Sequence, residues 1–254
     1  MNRNRFSDAE IPYKTLQKFG LTQEMIGDLP LHALKQIGEG YRSPVLPIKF
    51  TDEQGNTYQS CTRFSLYRTE DGRVDVLFYP QLQQANLEKF SEENRNKLQS
   101  NKAIIDIITA ADGNDIQAFL QVDEGTHQIL YIPTPVIGRN IQLVADEFRL
   151  SNAELNCLRN GGPLTIMSND NVVTVGIDLN EPTGIRICAG DERQWNVEVK
   201  KDWDKYNYGC FGCWTMDEEG NLDYVPEEEY TDEMWEEMRR KGEDRKSQVA
   251  TPKL

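Results

Sequence analysis

Between residues 90 and 190 the apolar and polar positions run through the same course twice. The first pass reads Phe90-Ser91-Glu92-Glu93, then Leu98, then Asn101 and the apolar run Ala103 to Ile108. The second reads Leu150-Ser151-Asn152-Ala153-Glu154, then Leu158, then Gly161 and Leu164-Thr165-Ile166-Met167. Ser91 and Ser151, Leu98 and Leu158, and Asn101 and Gly161 all stand 60 apart, while Asp123 and Asp178, which close two later apolar runs, stand 55 apart. The shift therefore falls in a turn. Repetition at this period predicts a tandem supersecondary unit.

Each pass has a local physical logic. Ser151 with Glu154 forms a capping box, and Leu150 and Leu155 occupy the staple positions on either side of it. Gly161 stands where a helix stops in a left-handed residue, and Asn101 is the next-best residue at the equivalent place. A short helix fits between those signals. Three β-rich stretches follow it, Leu164–Met167, Val172–Asp178 and Gly184–Ala189, separated by Ser168-Asn169-Asp170-Asn171 and Asn180-Glu181-Pro182-Thr183. The earlier pass has the same order: Ala103–Thr109, Asp115–Val122 and Gln128–Ile132, with Asp112-Gly113-Asn114 and Asp123-Glu124-Gly125 between them. Such turn chemistry between short apolar runs predicts antiparallel meanders. Val172, Val173, Val175, Ile177, Ile185 and Ile187 are the expected core of the later one.

A looser copy opens the chain. Ser7 with Glu10 is a further capping box, and Tyr13, Leu16 and Phe19 then mark one helix face up to Gly20. Thr22 can cap a segment through Met25, Ile26, Leu29, Leu34 and Ile37 to Gly38, with strand-like stretches at Val45–Phe50, Tyr58–Tyr67 and Val74–Tyr79. The order of elements matches the later passes, although the residues hardly do. The fold class expected is α+β, with tandem repeats of a short helix plus a small antiparallel β-meander. Residues 1–85 form an N-terminal α+β unit, and residues 86–200 hold two repeated helix-plus-antiparallel-sheet units. An acidic C-terminal segment, 201–254, carries a short helix and a disordered tail.

Charge and composition narrow the function. The net charge is −14, yet Asp217 to Met238 alone holds eleven acidic residues and no Lys or Arg, followed by a basic tail from Arg239. An acidic face repels phosphate, and no Lys/Arg stripe with interleaved aromatics offsets it, which argues against direct duplex DNA binding. No apolar window predicts a membrane span, and the first residues lack a secretory pattern. Five cysteines, an odd number, suggest free thiols in a reducing cytoplasm.

Catalytic signatures are wanting. His32 sits in an expected helix and His127 in a turn or strand start, neither with a partner at ligand or triad spacing. Gly38-Glu39-Gly40 is too short for a phosphate loop, and Gly161-Gly162 ends a helix instead of opening one. Asp217 to Asp223 has the acids of a calcium loop, but its glycine falls at position four, not six. Cys210-Phe211-Gly212-Cys213 could hold half a zinc site or a redox pair, though no second CxxC completes it. The plainer reading is two buried thiols in an aromatic-rich turn or strand. The expectation is a protein without catalytic residues, metal or cofactor.

The stretch Ile11 to Thr22, and the later Phe148 to Glu154 with Leu158, Gly161-Gly162-Pro163 and Leu164, resemble two uncharacterised families. These are domain-of-unknown-function proteins of Bacteroides-type conjugative transposons, in which the two domains occur in tandem. The resemblance covers most of residues 7–190; the segment Trp195 to Trp235 departs from it. It implies a cytoplasmic accessory protein of a mobile genetic element and supplies no catalytic residues; the repeats in turn suggest a non-catalytic protein-interaction scaffold for other proteins of the element. The alternative is an acidic, nucleic-acid-mimicking inhibitor of a DNA-binding protein, antirestriction-like, built on the acidic run. Thr231 followed by Met234, Trp235 and Met238 reads as a capped helix with an apolar stripe. Tyr230, Met234, Trp235 and Met238 are accordingly candidate partner-binding residues, unless the helix docks Trp235 on the protein's own body.

Overall fold

The computed structural model describes residues 5–52, 54–109, 113–168, 171–197 and 203–249. Among them are eight α-helices and four three-stranded antiparallel sheets. They group into two compact units, the first made of residues up to 77 together with those from 202 onward, the second of residues 78–201. The C-terminal segment, which the sequence set apart after residue 200, is thus grouped with the N-terminal elements.

At the N-terminal end, three helices, α1 (Tyr13–Gln17), α2 (Gln23–Gly27) and α3 (Leu31–Gly38), precede strands β1 (Leu46–Thr51), β2 (Thr57–Arg68) and β3 (Val74–Pro80). The expected helices are shorter than the apolar pattern suggested, because proline interrupts them. Ser7 and Glu10 do form the capping box, but it closes only a 3-10 turn over Asp8–Glu10 ahead of Pro12. The segment from Thr22 to Gly38 breaks at Asp28-Leu29-Pro30, since the residue before a proline is disfavoured in helix and the proline itself donates no hydrogen bond. Leu16, Leu21, Ile26, Ile37, Leu46 and Phe64 are all fully buried. Gly20, at φ 81°, lies so close to β1 that a Cβ there would stand 2.8 Å from the Lys49 carbonyl oxygen.

The second unit contains both copies of the repeat. The first is α4 (Glu92–Gln99), β4 (Ile104–Thr109), β5 (Asp115–Val122) and β6 (Ile129–Pro133); the second is α6 (Asn152–Arg159), β7 (Leu164–Ser168), β8 (Asn171–Ile177) and β9 (Ile185–Ala189). Both sheets are meanders, ordered β4-β5-β6 and β7-β8-β9. Their registers correspond as well. Ile104 faces Leu120 and Leu164 faces Val175, so the first hairpin has shortened by five residues without slipping. Leu120 faces Tyr131 and Val175 faces Ile187, one residue longer in the second copy. Ser91 and Ser151 cap their helices by accepting from Asn94 N–H and Glu154 N–H.

Between the copies runs α5 (Thr134–Phe148), a fifteen-residue helix that the repeat pattern did not predict. Its Ile137, Ile141 and Val144 join Phe119 and Leu158 with Val175, Ile177 and Ile185 in one core, so the two copies share an interior. Buried Gln121 ties them further: its amide donates to the Asn101 carbonyl and its carbonyl accepts from Leu179 N–H at 2.7 Å. Two expected core residues are outside. Val172 faces Met167 on the outer side of the sheet and is 40% exposed, and Ile187, on edge strand β9, is 46% exposed. Helix α7 (Glu192–Val197) lays Trp195 over Gly176, where a Cβ would meet the indole at 2.6 Å. The Arg186 guanidinium stacks on that indole 4.0 Å from its centroid and pairs with Asp178.

The chain then returns to the first unit with a fourth meander, β10 (Tyr206–Tyr208), β11 (Gly212–Met216) and β12 (Leu222–Pro226), and ends its described part in α8 (Asp232–Val249). Where a short helix and a disordered tail were expected, the helix continues to Val249; residues 250–254 lie outside the described residues. Among the described residues no helix is long and apolar enough to cross a membrane.

Candidate functional site

The first unit is closed around one carboxylate. Thr22 caps α2 by accepting from Met25 N–H, and the helix ends at Asp28, 5% exposed. Asp28 Oδ1 accepts from Cys210 N–H at 2.6 Å, and Oδ2 accepts from Phe211 N–H at 3.0 Å and from the Tyr224 hydroxyl at 2.7 Å. Two successive backbone N–H groups in a tight turn make a natural anion cradle, and here a side chain of the same chain fills it. Gly209 and Gly212 make this possible. A Cβ on Gly209 would lie 2.1 Å from Asp28 Cγ, and one on Gly212 would lie 2.5 Å from the Tyr224 hydroxyl. Beside the carboxylate, fully buried Trp214 donates its indole N–H to the Met25 carbonyl at 2.9 Å. Burial, and then the hydrogen bond to Asp28, hold the Tyr224 hydroxyl protonated far above its ordinary range.

The CxxC motif is split by this arrangement. Cys213 lies wholly buried on β11 and its thiol is pushed up to about 11, chiefly by burial. Cys210 sits in the turn and is exposed, so the expectation of two buried thiols holds for only one. Among the described residues no three His, Cys, Asp or Glu side chains are grouped so as to hold a metal ion. His32 meets Trp203 edge-on at 5.9 Å. His127 lies in the β5–β6 turn of the second unit, with φ 56°.

The four aromatic and methionine residues marked from sequence come together on the first unit. Thr231 caps α8 as expected, accepting from Met234 N–H. Met234 is 3% exposed, and the Tyr208 hydroxyl donates to its carbonyl. Half-buried Tyr230 packs its ring 5.7 Å from Tyr208 and 5.2 Å from Trp235. Met238, one turn further, lines a cleft of about 510 Å³. That cleft opens between the Gly27–Leu31 loop, strand β10 and α8. Lys241 bridges its edge by donating to Asp204 Oδ2 at 2.8 Å and to the Tyr206 carbonyl at 2.9 Å. At the mouth stands Leu31, 85% exposed.

Sequence reading reached Met238 but missed Asp28, Trp214 and Leu31. Asp28 looks like an ordinary helix-end acid, and its partners lie 182 to 196 positions away. The only local hint is the pair of glycines around Cys210 and Phe211, which signals a close approach without saying of what.

None of the curated proteins and none of the solved structures gives a match to this chain. Residues 6–90, from the first capping box through β3 to the start of the repeat, are similar to an uncharacterised domain family described as a protein of unknown function (DUF4099).

Proposed function

We infer that this chain is a non-catalytic accessory protein of a mobile genetic element and a protein-interaction scaffold, with the cleft of the first unit as its docking site. The observation that carries this reading is Leu31, 85% exposed at the mouth of a cleft that also offers Met238, Tyr206 and Tyr208. A lone exposed leucine is ordinary, but one beside a methionine and two tyrosines, rimmed by the Lys241–Asp204 ion pair, has the apolar centre and polar edge of an interface. The similarity of residues 6–90 to an uncharacterised family fits an accessory role, and the mobile-element setting rests on the sequence resemblance of most of residues 7–190 to transposon-borne families. A cytoplasmic location goes with that setting.

The test places a photo-crosslinking amino acid at position 31 in cells carrying the element, with a control at exposed position 147. A discrete adduct from 31 that is absent from 147, and abolished by Met238→Asp, is the expected result. No adduct, or the same adducts from both sites, overturns the reading. A second reading draws on the acidic run, ten of whose eleven carboxylates between Asp217 and Glu237 are exposed on the β11–β12 hairpin, the following turn and α8. If a crosslinker at position 228 captures a DNA-binding protein and one at 31 captures nothing, nucleic-acid mimicry is the better account.

A further inference from the structure

The second unit has a cleft of its own, about 350 Å³, bounded by the chain before α4, the C-terminal end of α4 and the β5–β6 turn. Buried Leu87, Leu98 and Val122 form its floor, and the side-chain amides of Gln83, Gln84 and Gln99 stand along its exposed walls. Its volume lies within the roughly 300–1,000 Å³ range of small-ligand sites.

Two backbone outliers line this cleft. Among the described residues only Asn101, His127 and Arg149 carry a side chain at positive φ, and the first two are here. Left-handed asparagine or histidine is uncommon but tolerated, so their pairing at one cavity is informative. The twin repeat sharpens the point. At the position equivalent to Asn101 it has Gly161, φ 81°, so glycine serves the same helix end there. Asn101 brings an amide whose buried Oδ1 has no hydrogen-bond partner among the described residues. His127 Nδ1 stands 2.6 Å from the Leu82 carbonyl oxygen, which can only accept. Nδ1 therefore carries a proton and donates to that carbonyl, which holds the ring at the cleft. In the second copy the residue equivalent to Glu124 is Leu179, 1% exposed in the shared core.

The lining chemistry selects a ligand class. It includes no Lys or Arg, so nothing there neutralises a phosphate. It includes no Phe, Tyr or Trp, so a nucleobase finds no broad stacking platform. Glu124, the single charge, opposes an acidic ligand. Side-chain amides offer donors and acceptors in the pattern that peptide groups use with one another. We propose that this cleft binds an extended, uncharged peptide segment through its backbone amides, seating one aliphatic side chain on Leu87, Leu98 and Val122. The proposal concerns the second unit only and stands or falls apart from the docking site of the first.

The test is a titration of the ¹⁵N-labelled full chain with N-acetyl-leucine N′-methylamide, followed by NMR. The expected result is saturable shifts of the side-chain amides of Gln83, Gln84, Gln99 and Asn101 and of the His127 ring. N-acetyl-aspartate N′-methylamide should bind at least tenfold more weakly, and adenosine should leave these signals unmoved. Asn101→Gly, which installs the twin's own cap residue, should keep the thermal transition and weaken the leucine probe fivefold or more. Should that variant fold poorly, His127→Asn, equally tolerant of a left-handed backbone, should weaken it as much. No shifts with the leucine probe, equal shifts with adenosine, or undiminished binding in a folded variant would each overturn the proposal.

Discussion

Asp28 accepts three hydrogen bonds at 5% exposure, and both of its oxygens are engaged. Removing the carboxylate leaves two backbone amides and a hydroxyl facing each other without an acceptor. Asp28→Ala should therefore destabilise the protein by about 2–3 kcal/mol, the scale of losing bonds to a charged acceptor. Asp28→Asn should recover little, because its NH₂ group would point at donors. Urea titration followed by tryptophan fluorescence checks both, and a wild-type midpoint for Asp28→Ala would remove the carboxylate from the account. Glu10 makes a pH prediction. Its bonds from Ser7 N–H and then the Arg68 guanidinium lower its pKa from the ordinary 4.5 to about 2. A lowered folded-state pKa gives stability that is present above pH 4.5 and lost as pH falls toward 2. Glu10→Gln should lower stability near neutrality, where that contribution is present, and flatten the stability–pH curve between pH 4.5 and 2. At this scale much was legible: Ser7, Thr22, Ser151 and Thr231 were read correctly as caps or capping-box members, since a cap needs only residues three or four positions away. Asp28 was not, since its partners are supplied by the fold.

The elements follow a similar division. All nine strands expected up to Ala189 form, within a residue or two of their expected ends, because Asp, Asn and Gly mark the turns between short apolar runs. Helix α5 went unread for a reason visible in its ends. It has Pro133 in place of a Ser, Thr, Asp or Asn N-cap and stops at Arg149, left-handed at φ 53° without being glycine, so Pro135 in its first turn was the one familiar signal at either end. Its Ile137, Ile141, Val144 and Phe148 do keep helical spacing, and that stripe was the available clue. Strands β10 to β12 were missed because they are short and rich in aromatics and acids, and the fold had to bury Trp214 and Cys213 before their pairing had a reason. Two predictions belong here. Ser151→Ala should cost about 1 kcal/mol, in the range of a lost N-cap, and Ser168→Ala, at the end of β7, clearly less; equal midpoints in denaturant would deny Ser151 its capping role. Gly161→Ala should cost at least about 1–2 kcal/mol, since φ is 81° and the new Cβ would stand 2.9 Å from the Ala103 carbonyl oxygen. A thermal melt of that variant, beside one of Asn101→Gly, separates a position that demands glycine from one that merely accepts it.

At the scale of the molecule, the first unit takes its parts from both ends of the chain, while the second holds the tandem repeat in one continuous stretch. Repetition could be read from the sequence because it is a comparison of the chain with itself. The union of residues before 77 with those after 202 could not, because no periodicity records a bond such as Trp214 to Met25, 189 positions apart. The cleft proposed for docking depends on that union, with one wall from the Gly27–Leu31 loop and the other from β10 and α8. Hydrogen–deuterium exchange on the full-length Trp214→Ala protein tests it most directly. A truncation of this size in a buried site costs about 3–5 kcal/mol, enough to lower the protection of whatever cooperates with it. The account predicts that amide protection falls together in α2, α3, β1 and β2 and in β10, β11, β12 and α8, while residues 78–197 exchange as in the wild type. Loss confined to residues 203–249, with α2 and α3 still protected, would contradict it.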